Sequence, residues 1–492
     1  MIGFAYNNTG TISNCNILGT ESENLEMINL LVCGITLNNS GTIENCSLEY
    51  VKINSTAPEG WIGGICGGSS GTIKDCIIKN SVIIGYDKVG GIVGNTNGAV
   101  NNCRVEDSSF GRDFESSTYE IGGIVGETTS GATIKNCSVS NPSIYKGLNF
   151  GFVVGNNKGN IENCYSEGSF SIYNIEGSMT TQTLGGIVGK NHGIILRCYS
   201  TINIDSNCIR ATYLGGIAGI NTGTITYCYN KGELYPLNIV EYIGGIVGEN
   251  TGTLNCCYNR GNIGVRQGSA KSIGGIAGTS SKSITYCYTT GNITKTPADT
   301  AAYTIAEFTS GTDTQCYYFS NASYSSGVTK NGTGAGVLEL KTIVGINYTW
   351  EDCYEIDYSG LNNGYPVCQW EANDAGKTVS SGTLYYKATG VISPSTSYGT
   401  SGVCQSIEGS SGTAYVYVPI REPNNNNSTN TFTISKSGQY ASVSLKTNGS
   451  TISSNPYEVK FNRSGVFRLI SGTGGTVNLT TPYGYGASIA IP

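Results

Sequence analysis

The sequence is poor in what builds helices and active centres: 13% of its 492 residues are charged, and it has one histidine, three methionines and 11 prolines. So little charge excludes a helical bundle, whose outer faces need it. With His192 alone and no Cys-x2-Cys pair, the usual zinc ligand sets are missing, and no cofactor is expected. No run approaches the roughly 18 consecutive apolar residues that would span a bilayer. No basic stripe interrupts a net charge of −6, so phosphate backbones and anionic lipid are poor partners. The opening Met-Ile-Gly-Phe-Ala-Tyr-Asn-Asn has neither the basic nor the apolar region of an export signal. It suggests a mature fragment, or a chain that crosses no membrane by that route.

What is abundant is the vocabulary of strands and turns: 70 Gly and 33 Tyr, with Asn, Thr, Ser and Ile throughout. A repeat organises it. Cys15, Cys46, Cys76, Cys103, Cys137, Cys164, Cys198, Cys228, Cys257, Cys287 and Cys316 fall 27 to 34 residues apart. Ahead of most of them stands a glycine pair, such as Gly63-Gly64, Gly90-Gly91, Gly215-Gly216 and Gly274-Gly275, opening a Gly-Gly-Ile-Val/Ala-Gly unit. An apolar residue sits three before each of these cysteines except Cys316, as at Ile43, Ile73, Ile195 and Ile225, the last copy being degenerate. A period near thirty without helical periodicity suits a coil of short strands that buries its apolar face only by stacking on copies of itself. The expected fold is all-β: a parallel β-solenoid of about eleven coils, winding right-handed, over residues 1–326. At about 4.8 Å per coil the rod would be on the order of 48 Å long.

The glycine corners require either positive φ or close approach of stacked coils. The cysteine and the apolar residue three before it cannot both point inward on an alternating strand, so a bend must separate them. Asn14, Asn45, Asn102, Asn136 and Asn163 suit that bend, because Asn tolerates left-handed backbone; Arg197, Tyr227, Cys256 and Tyr286 hold the same position in later coils. Stacked cysteines one strand spacing apart are too distant for disulfides, so the ladder is read as buried free thiols. A Cys353–Cys368 bond is considered for the closing segment.

Gly-Gly-Ile-Ala-Gly from Gly215, followed by Asn-Thr-Gly-Thr-Ile-Thr-Tyr-Cys-Tyr-Asn-Lys-Gly ending at Gly232, resembles the GLUG-motif repeat of bacterial surface proteins over roughly residues 1–320. Leu361 to Trp370 is similar to the stretch that commonly ends such arrays. The resemblance implies an extracellular or cell-surface, adhesin-like solenoid. Some relatives are attached to immunoglobulin-A-cleaving metallopeptidases, but the His-Glu-x-x-His of that activity is absent here.

A search for chemistry finds little. Glu127 and Glu249 share a repeat position several coils apart, and Glu44, Lys74, Lys135, Glu162 and Thr226 mix signs like a solvated face. His192 reads as a turn residue. Gly67 to Gly71 and Gly376-Lys377-Thr378 imitate a nucleophile elbow and a phosphate loop without their contexts. The patterned surface feature is Tyr165, Tyr199, Tyr229, Tyr258, Tyr288 and Tyr317, each after its ladder cysteine and hence expected to point outward as an aromatic stripe about 24 Å long. Such a stripe suits glycan or a cell-surface protein; plain cross-strand stacking is the alternative.

Residues 327–371, with Trp350, Trp370 and a candidate calcium group of Asp352, Glu355 and Asp357, are expected to cap the solenoid. Residues 372–492 read as an antiparallel, Ig-like β-sandwich, with a polar loop at Glu422 to Asn430. The function expected is non-enzymatic extracellular binding. A structural part of a surface layer, filament or phage fibre and a polysaccharide-degrading solenoid are the alternatives, and self-association stays open.

Overall fold

Glycine corners and left-handed bends cut each unit into short strands. The turn that follows Gly186, for instance, comprises Val188–Asn191, Ile194–Leu196, Tyr199–Ser200 and Ile209–Gly215. The computed structural model describes residues 5–335, apart from 30–31, 57–59, 112–119, 145–147, 173–178, 205–208, 237–239, 266–268 and 296–299. Beyond 335 it describes 340, 350, 353–355, 362–363, 365–371 and the strands between 383 and 491. The chain divides into two units, Met1–Gly334 and Ala335–Pro492.

The first unit is a parallel β-solenoid. Each strand pairs in register with its equivalent one repeat on: Val188 with Ala218, Ile195 with Ile225, Tyr199 with Tyr229 and Leu214 with Ile243. Three sides of the coil carry sheets of 11, 11 and 12 strands. The return side, which closes each turn, carries nine, so about nine turns are closed. A further six-stranded sheet, from Leu25–Asn29 to Ser171–Ile172, fills the wall of the N-terminal coils.

The bend before the cysteine is left-handed in every coil, whatever residue holds it. Asn14, Asn45, Asn102, Asn136 and Asn163 lie at φ 52–57°, but Arg197 and Tyr227 at 55° and Cys256 at 50° take up the same left-handed bend. The fold demands this conformation, and residues that dislike it are held there by the paired strands on both sides. Ile195 and Cys198 can therefore both face inward, and both are fully buried. The corner glycines, in contrast, are needed for close approach: a Cβ on Gly91 would lie 2.0 Å from the Gly123 carbonyl oxygen, and one on Gly186 2.0 Å from that of Gly216. The small Val125, Val188, Ala218, Val247 and Ala277 beside them are fully buried.

The thiol ladder has the expected form. All eleven cysteines of the repeat are free, and all but Cys15 are buried. Each is held by its own backbone: the Cys198 thiol donates to the Leu196 carbonyl at 3.3 Å and accepts from the Cys164 N–H at 3.4 Å. Burial, with further thiols alongside, pushes Cys137, Cys198, Cys257 and Cys316 well above the ordinary thiol range. Burial, opposed by a backbone hydrogen bond at Gly63, takes Cys33 up to about 12. In the native protein at pH 8, an aromatic disulfide reagent is therefore expected to label Cys15 fastest among the described free thiols, the buried ladder reacting only on unfolding. Fast native labelling of Cys198 or Cys228 would contradict the buried ladder.

A second ladder, of amides, runs inside the turn that follows. Asn157, Asn191, Asn221 and Asn250 are buried; each of the first three donates from Nδ2 to the next Oδ1 at 2.8 Å, and Asn250 donates to the Ser280 hydroxyl at 3.0 Å. It satisfies polar groups that the tight Asn-x-Gly turn would otherwise bury unpaired.

In the second unit, Tyr354 lies opposite Cys368 in an antiparallel pair. Cys353, one residue out of register, therefore points to the other face, and the Cys353–Cys368 bond does not form. Cys368 is a free buried thiol, while Cys353, like Cys256, is disulfide-bonded. Further on, Thr413–Val418 pairs antiparallel with Tyr457–Asn462, and Thr429–Lys436 with Gln439–Lys446, in two four-stranded sheets. Asp352, Asp357, the Glu355 side chain, Cys208, Cys404 and most of the Glu422 to Asn430 loop lie outside the described residues.

Candidate functional site

The six tyrosines do form one column. Tyr165, Tyr199, Tyr229, Tyr258, Tyr288 and Tyr317 are partners in successive strands. Rings from Tyr165 to Tyr288 stack with centroids 4.8–4.9 Å apart and planes within 2–9°. The expected outward exposure is corrected in the middle of the column: Tyr229 is buried, and Tyr258 and Tyr288 are 0% exposed. Alternation gives the direction of a side chain, but each inner ring has both faces covered by its neighbours, and the Lys231 ammonium lies 4.5 Å from the Tyr229 centroid. Tyr165, Tyr199 and Tyr317 are half-buried. His192 sits in its turn as expected, its Nδ1 2.7 Å from the Thr222 hydroxyl of the next coil. The mixed charges of the second side pair along the ladder, Lys74 with Glu44 at 2.7 Å and Lys135 with Glu162 at 2.8 Å.

A different feature emerges at the glycine corner. The return-side strand ends at the first glycine and the next strand leaves almost at once, so two rows of outward side chains face each other across a concave angle. The return-side row is Trp61, Lys88, Glu120, Asn149, Thr183 and their successors. The facing row is Asn7, Asn38, Gly68, Asn95, Glu127, Asn156 and onward. They touch across the angle. The Trp61 ring lies against Gly68, where a Cβ would stand 2.7 Å from Cε3.

The centre of this groove is an ionic network. Glu127 Oε2 takes Lys88 Nζ at 2.7 Å and Asn95 Nδ2 at 3.2 Å; Oε1 takes Lys158 Nζ at 2.7 Å and Asn156 Nδ2 at 3.2 Å. Asn156 Nδ2 also reaches Glu120 Oε1 at 3.5 Å, which accepts from Asn149 at 3.2 Å. The two carboxyls thus share one amide and differ in charge. Burial pushes Glu127 up, but hydrogen bonds from Lys158 and Lys88 outweigh it and hold it below the ordinary value. Glu120, with burial the main cause, the Lys190 charge opposing and the Glu127 charge adding, is pushed up to about 7. Glu120 Oε2 and Asn156 Oδ1 are buried without a hydrogen-bond partner among the described residues.

Two carboxyls pushed apart in this way resemble the acid and base of a glycosidase. Glu127, however, has both oxygens doubly occupied, so it offers no lone pair for a nucleophile or base. Among the described residues, no group of three or more His, Cys, Asp and Glu could hold a metal. The sequence did not reveal this pair, because seven positions and the corner separate the two glutamates. The available signal was the same repeat offset from the glycine pair that aligns Lys88 with Glu120 and Asn95 with Glu127.

One coil of the groove lies within a stretch that aligns with a known repeat. Residues 117–145, which contain Glu120, Glu127 and the corner between them, match the family model of the GLUG motif. The chain carries a GLUG motif. No curated protein and no solved structure matches the chain. A GLUG coil is thus one complete turn around the corner, and its glycine pair is the hinge of the groove. No helix among the described residues is long and apolar enough to cross a membrane.

Proposed function

We propose that this chain is a non-catalytic GLUG solenoid displayed outside the cell, where it binds glycan or a surface protein through the concave groove of its coils. The observation that carries this reading is the occupied state of Glu127: its carboxylate is held by Lys88 and Lys158, which suits a scaffold for holding a ligand and not for turning it over. The GLUG match supports the surface location. The buried tyrosines are taken as internal stiffening, with Tyr165, Tyr199 and Tyr317 the parts of the column a partner can still reach. The two antiparallel sheets beyond residue 400 are taken as a sandwich for attachment or recognition.

Antibodies against the solenoid, applied to intact and to permeabilised cells of the source organism, test the location. Labelling of intact cells that is abolished by external protease is expected. Labelling that requires permeabilisation would overturn the reading.

A further inference from the structure

One end of the groove differs from its ionic centre. Between the first coils lies a cavity of about 410 Å³ whose lining, which includes Asn7, Asn38, Trp61, Gly68, Ser70 and Asn95, contains no charged side chain. That volume falls in the range of small-ligand sites. Trp61 is 45% exposed at its edge, and it has room only because position 68 is glycine. Asn38 donates to Asn7 Oδ1 at 2.9 Å, and Asn95 donates to Glu127. Asn7 Nδ2, Asn38 Oδ1 and Asn95 Oδ1 then have no side-chain or backbone partner among the described residues, and the Asn38 and Asn95 amides each keep a second N–H, so the ring offers both donors and acceptors.

The charges next to the cavity are already matched. Lys88, 5.9 Å from the Trp61 centroid, is 2.7 Å from Glu127 and 3.9 Å from Asp87. An anionic ligand would have to displace Glu127 to reach it. Ala5–Asn8 and Trp61–Gly63 are the end strands of their sheets, but a peptide added at those edges would extend the sheets past the first coil and would not fill the cavity, whose floor between Asn38, Gly68 and Asn95 is the face of strands already paired on both sides. The remaining chemistry, an aromatic ring among neutral amides and hydroxyls, matches a sugar ring with an apolar C–H face and a hydroxylated rim.

We propose that the Trp61 cavity is a binding subsite for a neutral pyranose unit of a glycan chain, stacked on the indole and hydrogen-bonded by Asn7, Asn38 and Asn95. It rests on the groove-binding reading above and names its ligand class.

The test is titration of the full chain, by calorimetry and tryptophan fluorescence, with mannan, cellohexaose and soluble starch as neutral probes and polygalacturonate and heparin as anionic ones. Saturable binding of at least one neutral probe is expected. Trp61→Ala should weaken it roughly tenfold or more, Trp61→Phe less, and Asn38→Ala a few-fold. Ile194→Ala, at an exposed position outside the groove, should leave it unchanged, and an unchanged thermal midpoint in each variant shows that folding is intact. Absence of neutral binding, tighter binding of the anionic probes, or wild-type affinity in Trp61→Ala would each overturn the subsite. Cell-surface labelling is read independently: a displayed chain that binds no neutral glycan refutes the subsite alone, and a sugar-binding chain that is not displayed refutes the location alone.

Discussion

Glu120→Gln is expected to stabilise the solenoid at pH 8 by about 3 kcal/mol and to leave its stability near pH 4 almost unchanged. Folding raises the carboxyl from an ordinary 4.5 to about 7, with burial the main cause. Below pH 4.5 both the folded and the unfolded chain hold the proton, so the group has no effect on their balance. Between 4.5 and 7 the unfolded chain releases it while the folded chain keeps it. Stability therefore falls as pH rises through this window and stays low above it. Glutamine keeps the shape of the protonated acid, can still accept from Asn149, and never ionises, so the variant lacks the fall. Urea denaturation of both proteins from pH 4 to 8 measures the difference, which cancels every other carboxylate. Parallel curves would show that folding does not shift the Glu120 carboxyl. Glu127→Gln should move the opposite way at neutral pH, because it leaves Lys88 and Lys158 beside a neutral partner.

Gly216→Ala is expected to cost more than about 3 kcal/mol, at the upper end of overpacking effects, and to break the array locally. The new Cβ would lie 2.2 Å from the Gly245 carbonyl oxygen and 2.5 Å from Asn230 Cγ. The first of these is backbone in the next coil, tied into the ladder, so relief requires the coils to separate. Because each coil is stabilised mainly by its neighbours, separation at one step weakens the rungs on both sides of it. Gly131→Ala is the control: at φ +94° but with nothing nearer than 4.0 Å, it should cost only about 1 kcal/mol. Hydrogen exchange should show faster opening around residues 216–245 in the first variant alone. Equal exchange in the two would mean that the corner tolerates a side chain.

The readable parts of this protein are those set by one coil and copied. The cysteine spacing, the glycine pair and the apolar residue three before the cysteine recur because each rung meets the same steric problem, and the parallel register follows from stacking equals on equals. The left-handed bend was legible where Asn occupied it and obscured where Arg197 or Tyr227 did, since there neighbouring rungs override local preference. The tyrosine column was legible as a column and misread as a surface, because strand alternation says nothing about what covers a ring. Cys353 and Cys368 were close enough in sequence to suggest a bond, which a one-residue register difference prevents.

From its sequence alone this chain is a stack of parallel β coils with an interior row of free thiols, because periodic small and apolar residues admit few other ways to bury themselves. Only the tertiary structure decided where its chemistry lies. The angle at each glycine pair turns residues from two strands toward one another, and that angle brings Trp61 to Gly68, Lys88 to Glu127 and Asn156 to Glu120. A contact made across a corner and between coils depends on the rotation of the chain at that corner, which no spacing along the sequence encodes.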